Sequence, residues 1–298
     1  MKQLLFILVV FASVNFGFSQ KWMTNLEVAE RLAITQNKLL VVVWENAYYS
    51  GTPVYVNYKT GKEFLVENMF AEPVLDSLLW SNFVPVVLNE SVYTEWYNTL
   101  KNTRSTTYLD KFNDDTLKVM DANGNILNIK ADTYIENITE FVAKYSLDTS
   151  FLSNELVNYK REQNFYSAFY LASKYMDFAF FNNSNVRAEL VNLAAIYLDE
   201  ASRFLERETL ENKETLRQRV SFLEIQEHLL LENPKKVLRQ LNRIKETEVA
   251  NANSNLRAFL YFSAYRMLQD EQNASVWRPE ISNFDTKKIM SLIQNTTN

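Results

Sequence analysis

Tyr48-Tyr49-Ser50-Gly51-Thr52 puts four hydroxyls around one glycine. A phenol or an aliphatic hydroxyl can donate a hydrogen bond to a bound thiol or carbonyl, and such a cluster is the richest chemical feature in the chain. It is also limited. The chain contains no cysteine, and thiol–disulfide exchange needs a thiolate and a second sulfur to resolve the mixed disulfide. One histidine, His228, stands beside Glu224, Glu227 and Glu232. A single imidazole gives neither a His-rich zinc site nor local support for a Ser-His-Asp set. Asp121-Ala122-Asn123-Gly124-Asn125 places oxygens at alternate positions, but no bidentate Glu follows at the calcium-loop spacing, and Asn-Gly between two apolar runs reads as a hairpin turn. Any two of the 36 carboxylates could converge in space, which spacing alone does not test. No metal and no cofactor is expected.

The N-terminus begins Met1-Lys2 and continues with an apolar run through Ala12 that is too short to span a bilayer. Gly17 and Ser19 supply small residues before a cut between Ser19 and Gln20, the pattern of a secretory signal peptide over residues 1–19. The expectation is an exported protein, periplasmic or extracellular, without a membrane span in the mature chain. The formal net charge of −5 recommends no nucleic-acid partner. With 47% hydrophobic and 14% aromatic residues, 298 residues can fill two cores without disulfides.

The elements that would position the hydroxyl cluster lie on both sides of it. Leu26, Ala29, Leu32 and Ala33 recur at helical spacing, and Leu39–Trp44 is a short β-branched run expected of a strand buried on both faces. Beyond the cluster, 72–80 reads as a helix with Pro73 in its first turn, and 83–88 as a second buried strand. A hairpin over 117–129 and an amphipathic helix over 135–145 close this half. From about Thr149 the pattern is helical only, over 154–180, 186–207, 212–231, 235–246 and 254–270. A weak 37-residue recurrence suggests stacked helical hairpins near the tetratricopeptide period. The aromatics of 165–181, on more than one face, are read as core between helices with a surplus that docks the first half.

In that order, residues 22–147 resemble a thioredoxin-like domain of the secreted bacterial kind. The resemblance rests on Ala29, Ala33 and Asn37-Lys38 before the first central strand, on Pro73–Leu79 followed by Asn82–Val87, and on Val119–Leu127 as the hairpin. It implies an α/β domain over 20–148, a central mixed sheet flanked by helices, followed by an all-α, tetratricopeptide-like domain over 149–298. It also implies which devices are missing. Tyr49 and Thr52 stand where the family carries its redox cysteines, Val42 where many members bury a proton-relaying acid, and Asp115, before Thr116, where they carry a cis-proline. The family geometry would bring 46–54 and Asp114-Asp115-Thr116 together. A non-catalytic module that binds a protein partner or scaffolds an assembly is therefore expected, with Tyr48, Tyr49, Ser50, Gly51, Thr52, Asp115 and Thr116 as the candidate surface. The alternative is a thiol-binding enzyme resembling glutathione transferases and using the hydroxyls of 48–52. Val84-Pro85 and Glu90-Ser91 echo that family, but too few residues separate them for the strand-turn-strand it places there.

Overall fold

The computed structural model describes residues 21–57, 62–130 and 135–297. The signal-peptide expectation for 1–19 lies outside the described residues.

The chain opens with helix α1 (Leu26–Gln36), whose start is capped by Asn25 accepting the Val28 N–H at 3.0 Å. Its end turns at Asn37, φ 54°, which drops the chain into strand β1 (Leu40–Trp44). Ala29 and Ala33 are fully buried and let the helix lie close on the sheet. Every residue of β1 is buried, as is every residue of β4 (Val84–Leu88), which pairs parallel to it with Val42 opposite Val86. Strand β5 (Lys118–Met120) runs antiparallel to β1 on its other side, with Val42 opposite Lys118. Single bridges extend both edges, Met23 to Val86 and Ile126 to Met120. The order across the sheet is thus Met23, β4, β1, β5, Ile126. Between β1 and β4 come the short helix α2 (Glu45–Ser50) and helix α3 (Pro73–Asn82). Helices α4 (Tyr93–Leu100) and α5 (Thr106–Asn113) precede β5.

A second sheet was not foreseen. Strand β2 (Val54–Asn57) pairs antiparallel with β3 (Glu63–Val66) and parallel with β6 (Glu136–Asn137), just before helix α6 (Ile138–Tyr145). Only Val54 of β2 is fully buried and β3 is mostly exposed, so the short apolar stretches Val54–Val56 and Phe64–Val66 do not form buried runs.

After α6 only helices follow among the described residues: α7 (Ser153–Arg161), α8 (Phe165–Phe181), α9 (Ser184–Arg207), α10 (Lys213–Leu230), α11 (Pro234–Leu241), α12 (Ser254–Met267), α13 (Glu271–Trp277) and α14 (Asn283–Thr297). Consecutive members from α7 to α13 pack on one another, α8 and α9 most extensively, and α14 returns to pack on α8 and α12. The expected single helix over 154–180 is two. Asn164 accepts the Ser167 N–H at 3.0 Å while Ser167 Oγ accepts the Asn164 N–H at 3.1 Å, a reciprocal cap that starts α8 afresh. The expected helix over 235–246 ends at Leu241, and two helices beyond 270 carried too little periodicity to be foreseen. An α/β part is thus joined to a helical part, and buried side chains of both belong to one continuous apolar cluster.

Candidate functional site

The hydroxyl cluster forms α2 and the turn leaving it, at the C-terminal end of β1. Tyr48 does not face solvent freely: its ring sits 5.6 Å from that of Trp22 and 4.6 Å from that of Phe70, which themselves meet edge-on. Trp22 is pinned in turn, its indole Nε1 donating to Asp76 Oδ1 at 2.8 Å. Burial pushes the Tyr48 phenol above its ordinary value, and the Asp76 charge adds to the effect. Gly51 has φ +82°, and a Cβ there would lie 2.9 Å from the Asn68 side chain. The Thr52 carbonyl accepts the Met69 N–H at 3.0 Å. Tyr48, Gly51 and Thr52 therefore build the corner, whereas Tyr49, 75% exposed, and Ser50 project from it.

Asp115 and Thr116 flank the same end of β1, because the pairing of Val42 with Lys118 fixes their register. The two segments nevertheless turn to different partners. Asp114–Thr116 packs around two buried lysines. Asp114 Oδ1 accepts from the Thr116 N–H at 2.9 Å and from its hydroxyl at 2.8 Å. Lys118 Nζ donates to the Asp114 carbonyl at 2.6 Å and the Thr116 carbonyl at 3.1 Å, and lies 3.2 Å from Asp114 Oδ1. Lys111 donates to Thr116 Oγ1 and lies 3.5 Å from Asp114 Oδ2. Burial drives Lys118 down to about 8, with the neighbouring Lys111 pushing the same way against the attraction of Asp114. Burial alone would raise the Asp114 carboxyl, but the two ammonium groups hold it below its ordinary value. Thr116 is absorbed into this knot and Asp115 remains exposed. Sequence reasoning missed Lys111 and Lys118, which carry no signal beyond a lysine interrupting the apolar run Leu117–Met120.

The 121–125 hairpin does more than turn the chain. Asp121 is fully buried; its Oδ1 accepts the N–H groups of Asn123 and Asn125, each at 3.0 Å. Its Oδ2 accepts the hydroxyl of Tyr175 on α8 at 3.0 Å and that of Tyr197 on α9. Burial raises the Asp121 carboxyl, and these hydrogen bonds oppose the rise. The two phenol rings stack at 5.6 Å. Around them the seam carries Arg104–Glu200 at 2.9 Å, Lys144–Glu189 at 2.9 Å and Lys160–Glu30. Of the 165–181 aromatics, Tyr175 reaches the α/β half in this way, while Phe178 stacks on Phe151 within the helical half. Phe180 packs instead on Phe259 of α12, and Tyr166 and Tyr170 stay exposed.

On α10, burial followed by the charges of Glu224 and Asp199 lifts Glu227 to about 7. Burial, with Lys236, lowers the neighbouring His228. Among the described residues no three His, Cys, Asp or Glu side chains converge in a metal-holding group, and no helix is long and apolar enough to cross a membrane. Comparison of the chain with protein-family models, curated proteins and solved structures finds no match.

Proposed function

We propose that the chain is a non-catalytic member of the thioredoxin-like group, exported to the bacterial envelope, which presents the α2 corner to a protein partner while its tetratricopeptide-like helical half serves as a rigid support. The strand order Met23, β4, β1, β5, Ile126 supports the first element, since it follows the central-sheet order of that group. Side-by-side packing of consecutive helices supports the second. The observation that carries the binding reading is Tyr49. It stands 75% exposed beside a packed aromatic base of Trp22, Tyr48 and Phe70, where a reductase would carry its nucleophile. An exposed, pre-oriented tyrosine costs little entropy to engage and suits protein recognition.

A photo-crosslinking side chain at position 49, introduced in the producing cell, tests this. Expected is a discrete adduct at 49, absent with the same label at Val276, which is comparably exposed on α13. Equal labelling at both positions, or none at 49, rejects the reading. The glutathione-site alternative has the opposite signature, a rise in melting temperature with glutathione. Burial raises the Tyr48 phenol, which makes that one hydroxyl a weaker hydrogen-bond donor.

A further inference from the structure

A concavity opens where the two halves meet. It has a volume of about 440 Å³ and is walled by Trp96, Arg104, Asn123, Gln163, Glu200 and Arg203, from α4 and the turn after it, the 121–125 hairpin, the end of α7, and α9. Clefts of roughly 300–1,000 Å³ at such junctions are where small ligands are held.

Its charges are paired among themselves, Glu200 with both Arg104 and Arg203. Arg104 Nη2 lies 2.9 Å from Glu200 Oε1, which also has Arg203 at 3.8 Å, and Tyr159 donates its hydroxyl to the other Glu200 oxygen. Glu30, at the opposite side, is neutralised by Lys160. An anion would meet two carboxylates here, and a cation two guanidinium groups. What the walls offer instead is alternation: guanidinium and amide donors interleaved with carboxylate and amide acceptors. A ligand hydroxyl, both donor and acceptor, fits such a lining. The Arg104 side chain is nine-tenths buried in this wall, its Nη2 shared between Glu200 Oε1 at 2.9 Å and Asn125 Oδ1 at 2.8 Å. Trp96, half-buried at the rim, supplies a flat apolar face. Apolar ring face and hydroxyl edge together are the chemistry of a pyranose. We propose that this cleft binds a neutral sugar. The site lies apart from the α2 corner, so it stands or falls separately from the reading above.

Glucose, N-acetylglucosamine and cellobiose, titrated into the full chain, test it by tryptophan fluorescence and melting temperature. Expected is saturable binding of at least one, with a rise in melting temperature, weakened about tenfold or more by Trp96→Ala and by Arg203→Ala. Arg203 is 40% exposed in its side chain, so that variant probes the cleft without disturbing the core. Tyr49→Ala should bind as the parent does. Three outcomes overturn the proposal: no saturable binding by any of the three sugars, undiminished binding by Arg203→Ala, or glucuronate binding about tenfold tighter than glucose, which would make the site anionic in preference.

Discussion

Lys118 carries a proton inside the protein at a cost. Its folded-state value of about 8 lies below the ordinary 10.5, so between those limits the unfolded chain binds a proton the folded one has released. Stability must therefore climb as pH rises from 8 to 10.5. In Lys118→Met this climb should be smaller, as read by melting temperature across that window. Glu227 obeys the opposite sign. Lifted to about 7, it stabilises the folded state below its ordinary 4.5, and that contribution is lost as pH rises through 7. Glu227→Gln should gain on the order of 1 kcal/mol at pH 8 and nothing at pH 4. At Asp121, Tyr197→Phe and Tyr175→Phe each remove a donor from one buried oxygen. Each should cost about 1–3 kcal/mol in chemical denaturation, and the double change should differ from the sum because the two share an acceptor.

At the scale of elements, what the sequence disclosed follows from burial. Strands β1 and β4 are covered on both faces, so Leu39–Trp44 and Phe83–Leu88 show as unbroken apolar runs. The β2–β3 hairpin is covered on one side at most, and its apolar triplets Val54–Val56 and Phe64–Val66 are too short to stand out beside those runs. Hydrophobic spacing likewise passes over the polar break at Glu162-Gln163-Asn164, which only the Asn164–Ser167 cap reveals. The candidate loop was legible as a place and not as a set of roles. Tyr48 is turned inward by Trp22 and Phe70, residues 26 and 22 positions away, and only folding makes them neighbours. The turn leaving α2 can be tested by Gly51→Ala, whose methyl meets the Asn68 side chain at 2.9 Å, against Gly124→Ala, whose nearest neighbour is at 3.5 Å. Both have positive φ, so both should lose about 1 kcal/mol or more, and Gly51→Ala should lose more.

For the whole molecule the seam decides behaviour. Buried apolar side chains run without interruption from sheet to helices, and ion pairs and phenols bridge the same boundary. Heating should therefore unfold both halves in one transition, with far-ultraviolet dichroism and tyrosine absorbance coinciding. Asp121→Ala should separate the two signals. The Asp121 carboxylate also couples two jobs that proteins usually keep apart. One oxygen sets the shape of a five-residue turn, and the other fastens helices from beyond residue 170. Turns are ordinarily where a chain tolerates added length, but an extra residue between 121 and 125 would swing that oxygen away from both phenols. The 121–125 turn is thus the hinge pin of the molecule, and the place where its length is least negotiable.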